Sequence, residues 1–255
     1  MTEIHQIYPP TAAGPLTTED IERLYTYPDC TSPYVAVNFV SSADGAVEVD
    51  GIARPLSTPP DRVVLQLGTD LADVVLVGAN TATVEGFTGV KPTDRRAERR
   101  RRFGLSETPV TAVVTATGRS LDPSAPVLRD TLVPTIVFTC AAVPEDLRAR
   151  WTDAGADVVL VGDGTVDLTA AVAELGRRDL YRVNCMGGPA LFGSMAEAGM
   201  VDELRLTVAP FVVSGEAARI ARGAGMDPAR LELVSVITGD DTLLIRYRVG
   251  DSSPT

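Results

Sequence analysis

The sequence predicts an α/β domain whose sheet is mostly parallel and closes on an antiparallel C-terminal hairpin. Three observations carry this. Short unbroken runs of Val, Ile and Leu, such as "DVVLVGA", "TIVFTC" and "DVVLVG", suit strands covered on both faces. Helical patterns alternate with them, as in parallel strands joined by helical crossovers. The last two runs, "LELVSVIT" and "TLLIRYRV", have only a Gly239-Asp240-Asp241 turn between them, too short for a crossover.

Residues 1–33 are rich in Pro and Thr and read as an N-terminal extension packed on the main domain. Their one helix lies in "TTEDIERLYTY", with Thr17 or Thr18 as cap and Glu19 and Asp20 in the first turn. A single domain is expected over 34–250, with 251–255 as a tail. "YVAVNFV" is the first strand. "PPDRVVLQLGTDLA" is a helix with Pro59 or Pro60 in its first turn, where the missing N–H would be unpaired anyway. "DVVLVGA" and "VTAVVTA" are the second and third strands. "TIVFTC" is the fourth, followed by the helix "PEDLRARWTDAG", whose Trp151 turns to the core. "DVVLVG" is the fifth, followed by the helix "DLTAAVAELGRR". "RVNCMGG" is the sixth, after which Leu191, Met195 and Ala198 fall at helical spacing. "ELRLTVAPFVV" is a further strand before the hairpin. The Arg-dense "KPTDRRAERRRRFG" reads as a solvated surface helix, the alternative being that its arginines reach a phosphate.

Composition narrows the function classes. Hydrophobic residues make up 45% and charged residues 22%, ordinary for a soluble protein. A formal charge of -11 argues against nucleic acid or an anionic membrane as partner. The start "MTEIHQIYPP" lacks the basic and apolar regions of a signal peptide, and no apolar run nears the roughly 18 residues of a membrane span. A cytoplasmic protein with reduced thiols is expected. Cys30, Cys140 and Cys185 lie far apart and His5 is the single histidine, so neither a metal site nor a His-dependent catalytic triad is expected. Cys185 reads as a buried apolar residue.

Gly187 and Gly188 raise a further question, because they stand between a strand and a helix. Glycine permits positive φ and close approach of the backbone. A helix N-terminus offers free N–H groups to an anion. A tight turn and a phosphate loop both fit the pair. Three motifs in a fixed order decide between them: "YVAVNFVSSADGAV", "ADVVLVGANTATVEG", and the glycine loop with "GMVDELRLTVAPFVVSG" behind it. Together, over residues 34–249, they resemble the reductase domain of the riboflavin pathway. That domain forms the C-terminal half of bifunctional pyrimidine deaminase–reductases and also occurs as stand-alone pyrimidine reductases.

The resemblance implies a dihydrofolate-reductase-like fold, NADPH as cofactor, a small-molecule substrate and a homodimer. It implies hydride transfer to C1′ of a ribosylamino-pyrimidine, as in a 5-amino-6-(5-phosphoribosylamino)uracil reductase. It places Val40 beside the nicotinamide, Gly78 and Thr81 at the turn after the second strand, and Glu85 behind them. Thr115 and Ala116 fall near the adenosine, and Gly187, Gly188, Pro189, Ala190, Leu191 and Phe192 around the pyrophosphate. Taken without the resemblance, Thr81 is also a possible helix cap and Glu85 a solvated loop acid. NADPH is expected over NADH, with Arg119 available to a 2′-phosphate. Asp44 is the candidate catalytic and substrate-binding residue, with Asn38 and Ser42 as neighbours; the alternative is that Asp44 caps the loop after the first strand. The zinc ligands of a deaminase are missing, so no deamination is expected.

Two departures fall on the substrate side. The family usually has Lys after Asp-Gly, here Ala46, and Glu before Gly-Gly, here Met186. A hydrogen bond to a charged group contributes about 1.5–3 kcal/mol. Tight NADPH binding with weakened turnover of the usual pyrimidine is therefore expected, which favours a flatter, less polar acceptor. Two alternatives remain. One is a pterin or dihydrofolate reductase-like enzyme, which would need a carboxylate in the ring pocket that the sequence does not locate. The other is a non-catalytic NADPH-binding regulatory protein.

Overall fold

Capping side chains set where the helices begin. Thr17 accepts from the Asp20 amide while the Asp20 carboxylate accepts from the Thr17 amide, a closed capping box. Thr58 and Asp167 cap two later helices by accepting one first-turn amide each, without the reciprocal bond. A computed structural model describes residues 3–10 and 14–250, so the tail expected at 251–255 lies outside the described residues.

The chain runs β1 (His5–Tyr8), α1 (Thr18–Tyr25), β2 (Tyr34–Ser42), a 3-10 turn (Arg54–Leu56), α2 (Pro59–Asp70), β3 (Val74–Gly78) and α3 (Ala79–Val84). It continues through α4 (Asp94–Arg102), β4 (Val110–Val114), α5 (Pro126–Arg129), β5 (Ile136–Thr139), α6 (Glu145–Asp153), β6 (Asp157–Leu160) and α7 (Leu168–Arg177). The last elements are β7 (Arg182–Cys185), α8 (Pro189–Glu197), β8 (Glu203–Ala209), β9 (Leu231–Gly239) and β10 (Thr242–Val249). One ten-stranded sheet has the order β1-β9-β10-β8-β2-β7-β3-β4-β5-β6. From β8 to β6 the neighbours are parallel; β10, β9 and β1 add antiparallel. The expected mixed sheet with a C-terminal hairpin is therefore present. Asp240 and Asp241 turn that hairpin with φ of 46° and 58°, the left-handed pair that matches strand twist.

Alternation along the parallel strands feeds two layers. Val74 and Leu76 join Leu175 of α7 and Leu191 and Met195 of α8. Val77 joins Ala82 of α3 and Trp151 of α6 on the opposite face. Trp151 is wholly buried and its indole N–H donates to the Leu121 carbonyl. On α8, Phe192 rather than Ala198 shares the buried face; Ala198 is the exposed C-cap residue.

Two expectations are corrected. The N-terminal extension does more than pack on the domain: β1 pairs with β9, so the hairpin is not the sheet edge. Four residues are too few for periodicity to show, and pairing alone makes them a strand. The Arg-dense stretch does form a helix, α4, but it is not solvated throughout. Arg99 and Arg100 are 2% and 0% exposed. Arg99 bonds Glu22 of α1 and Asp70 of α2, and Arg100 donates to the carbonyls of Asp70, Ala72 and Ser106. The arginines tie helices together. Among the described residues no helix is long and apolar enough to cross a membrane.

Candidate active site

The parallel strands β2, β3, β7 and β8 bring their C-terminal ends to one side of the sheet, where ligands of open α/β sheets bind. A cavity of about 570 Å³ opens there. At one end lies the Gly-Gly loop between β7 and α8. The Gly78 amide donates to the Gly187 carbonyl at 2.8 Å, and the Met186 amide to the Leu76 carbonyl at 2.8 Å, so the loop is clamped to β3. Gly187 has φ 69°, and a Cβ there would come within 2.6 Å of the Phe39 ring. A Cβ at Gly188 would collide with the Thr81 hydroxyl. Both glycines are thus required by close approach, and the first also by its backbone conformation. Gly188 is the N-cap of α8 and has no side chain to satisfy the first-turn amides. The Ala190 and Leu191 amides have no hydrogen-bond partner among the described residues, which leaves two donors for an anion.

Gly188, Pro189, Asn80, Thr81 and Glu85 line this end of the cavity, with Phe39 and Val40 of β2. Thr81 is the third residue of α3, whose N-cap is Gly78, so it is not a cap. Glu85 accepts from the Ala53 amide at 2.6 Å and straps the rim loop down, so it is not a free solvated acid. Gly78 lies behind Gly188 and outside the lining, Ala190 also falls outside it, and Leu191 and Phe192 turn into the core. Thr115 and Ala116 follow β4 and are not brought into the cavity: the Thr115 hydroxyl accepts from the Gly118 amide, and the Ala116 carbonyl from the Cys140 thiol.

The other end is built from α2 and β8. Asp61, in the first turn of α2, is 4% exposed and lines the cavity. Ser57 Oγ donates to it at 2.5 Å, and the Thr207 hydroxyl stands beside it. Burial pushes its carboxyl up, against the pull of those hydroxyls and of Arg62. Arg62 donates to the Ser57 carbonyl instead, and Asp61 has no ion pair among the described residues. Arg205 also lines the cavity, above a buried cluster in which Arg205 and Arg246 share Glu203 at 2.6 and 2.7 Å. Burial alone would raise Glu203, but the two arginines outweigh it and hold it at about 2. Two guanidiniums on one carboxylate leave one positive charge in excess, and Arg205 Nη1 is buried with no partner among the described residues.

The remaining expected substrate residues divide. Asn38 lines the cavity and donates to Asn184 Oδ1, while Asn184 Nδ2 bonds Met186 Sδ, also in the lining. Asp44 and Ser42 are not in the lining. The Asp44 carboxylate accepts from Ser42 Oγ and from the Val213 and Ser214 amides, and these donors hold it at about 2. It therefore fixes the loop after β8, the capping alternative in another form. Ala46 is buried, its amide donating to Ser42 Oγ. Sequence reasoning missed Asp61, because an acid in the first turn after two prolines reads as an ordinary helix start. It missed Thr207 and Arg205 because alternation shows only that they share a face.

The RibD C-terminal domain model matches residues 33–245. A 2,5-diamino-6-ribosylamino-4(3H)-pyrimidinone 5′-phosphate reductase of Methanothermobacter thermautotrophicus is 31% identical over 226 residues, 85% of this chain and 98% of that protein. Among solved structures, a pyrimidine reductase-like protein of Corynebacterium diphtheriae superposes with TM-score 0.81 at 23% identity, over 93% of this chain and all of that one. The Thermotoga maritima deaminase/5-amino-6-(5-phosphoribosylamino)uracil reductase superposes with TM-score 0.63 at 17% identity, over 86% of this chain and 57% of that one.

Proposed function

The chain belongs to the RibD C-terminal domain family, and from that premise we propose that it is an NADPH-dependent reductase of a ribosylamino-pyrimidine 5′-phosphate. The observation that carries this reading is the shared cavity, with a glycine-built anion site at one end and, at the other, a buried carboxylate that has no ion pair among the described residues. The cofactor fits the first end: the unpaired Ala190 and Leu191 amides and the Thr81 hydroxyl suit a diphosphate, and the absence of Cβ atoms lets it close on the backbone.

When bound, NADPH supplies the hydride. Val40 and Phe39 of β2 form the apolar wall between the two ends and keep water from the reacting face. Asp61, Thr207 and Asn38 hold the ring end of the substrate. Arg54 and Arg62, on the exposed rim, suit its phosphate. Asp44 acts through the loop it fixes and is a positioning residue. Arg119, exposed beyond β4, is the residue assigned to the 2′-phosphate. A homodimer in the cytoplasm is part of the same proposal. The test is NADPH oxidation followed at 340 nm with the relatives' pyrimidine substrates, and the same assay with NADH. Turnover with NADPH favoured over NADH supports the reading; cofactor binding with no turnover of any acceptor would favour a regulatory role.

A second reading has its own observation. Asp61 is a buried carboxylate in the lining, and Met186 adds an apolar side chain to the same cavity. Both suit a pterin, so dihydrofolate belongs in the same assay. The buried Asp61 also bears on the weakened pyrimidine turnover expected from the sequence, because it supplies a carboxylate at another position in the lining.

A further inference from the structure

The connection between β8 and β9, residues 210–230, is bonded to two segments that both contribute to the cavity lining. The first is the loop after β2, which supplies Val47, Glu48, Gly51 and Ala53. There the Ala43 amide donates to the Phe211 carbonyl at 2.8 Å and the Val47 amide to the Ala218 carbonyl at 3.1 Å. The Asp44 carboxylate accepts from the Val213 and Ser214 amides. The second is the start of α8, which supplies Gly188 and Pro189. There the Arg222 amide donates to the Pro189 carbonyl at 3.0 Å, and Ile220 and Ala221 pack against the cluster that contains Leu191 and Phe192. From Ala218 to Arg222 the chain crosses between the two anchors with at most about 14 Å of reach, which leaves little slack.

Gly193, in the middle of α8, lets the connection sit there. Its φ is not positive, so its backbone conformation does not call for glycine, and glycine inside a helix is less favourable than alanine. The reason is space: a Cβ at Gly193 would run into the Arg222 carbonyl. That neighbour is backbone and cannot rotate away. We propose that Gly193 is a positioning residue that seats residues 210–223 on α8 as a brace, so that cofactor bound at the start of α8 fixes the substrate-side loop after β2. The inference rests on the reading of that helix start as the diphosphate site. The brace has two positions, seated on α8 or lifted from it. A diphosphate on the Ala190 and Leu191 amides orders the turn whose Pro189 carbonyl holds Arg222, and so favours the seated position. The seated brace in turn holds Ala43, Asp44 and Val47. Linkage makes the effect reciprocal: a substrate that fixes the loop after β2 tightens the cofactor by the same factor. Asp44, outside the lining, is the anchor of the far end of the brace.

The experiment is hydrogen exchange of the full chain, read at single amides with and without saturating NADPH, followed by steady-state kinetics. In the wild type NADPH is expected to slow exchange at Ala190 and Leu191 and also at Ala43, Val47 and Arg222. Gly193→Ala should keep the slowing at Ala190 and Leu191 and lose it at Ala43 and Val47. Its KM for the relatives' pyrimidine substrates, at saturating NADPH, should rise about five- to tenfold, with NADPH affinity changed less. Helix propensity alone predicts the reverse, a more stable protein with the coupling intact. Asp44→Asn frees the other anchor; it should keep the slowing at Arg222 and lose it at Ala43 and Val47, and the double variant should lose no more than either single one. Wild-type exchange at Ala43 and Val47 that ignores NADPH, or slowing there that persists in Gly193→Ala, overturns the proposal. Should Gly193→Ala fail to fold, slowing that persists at Ala43 and Val47 in Asp44→Asn overturns it instead. A wild type that shows the NADPH-dependent slowing but reduces no pyrimidine refutes the reductase reading and leaves the brace standing. A wild type that binds no NADPH refutes the cofactor site and the brace together.

Discussion

Helix α2 carries a buried aspartate at each end, and the two are treated in opposite ways. Asp70, in the last turn, is wholly buried and bonded by Arg96 and Arg99. Asp61, in the first turn, is nearly as buried but is hydrogen-bonded by hydroxyls, forms no ion pair among the described residues and has an open cavity before it. The helix field sharpens the contrast: it favours a negative charge at the N-terminus and opposes one at the C-terminus. Asp70 needs cations from its own chain, whereas Asp61 can remain without one. A buried charge satisfied internally marks architecture, and one left waiting beside a cavity marks a site.

Removing a cation from the satisfied end should have the largest effect. Arg99→Ala leaves Glu22 and Asp70 short of a buried partner, and breaking such a pair costs about 3–5 kcal/mol. Denaturant unfolding should show that loss, and a cost below about 1 kcal/mol would break the contrast between the two ends.

Acid should act next, through Glu203. Its carboxyl is held at about 2, below its ordinary 4.5, so its contribution is fully present above the ordinary value and is lost as pH falls toward 2. The expected loss is on the order of 3 kcal/mol. Asp61 has the opposite sign: its carboxyl is raised, so its ionisation opposes folding as pH rises above the ordinary carboxylate range. Unfolding free energies from pH 2 to 8 should show the acid loss in both wild type and Asp61→Asn, with the slope from Asp61 missing in the variant.

At neutral pH the same Asp61→Asn protein should be as stable as the wild type or more stable by about 1 kcal/mol, because an unpaired buried charge has been removed. A loss of several kcal/mol would place Asp61 with Asp70 as a structural residue. The smallest effect belongs to Arg102, which bonds Glu22 from a half-exposed position. Arg102→Ala should cost about 0.2–1 kcal/mol in the same unfolding measurement, against the larger loss at Arg99.

Much of this protein is legible without a structure. Unbroken Val/Leu runs specify buried parallel strands, Thr17 or Thr18 the start of the first helix, and Gly239-Asp240-Asp241 the final hairpin, because each is a local matter of spacing, capping and φ. At Gly187–Gly188 only the close turn is legible in this way; whether the loop holds a phosphate is not a local matter. Tertiary structure alone decided the rest. The "HQIY" strand exists because β9 offers it an edge. Arg99 and Arg100 are buried because α1 and α2 bring Glu22, Asp70 and backbone carbonyls to them. Asp44 fixes a loop because the segment after β8 places two amides within its reach. Asp61 lines the cavity because β8, coming from far along the chain, sets Thr207 beside it. Local sequence states which residues are charged; only the packing of distant segments determines whether that charge is neutralised by the chain or left for a ligand.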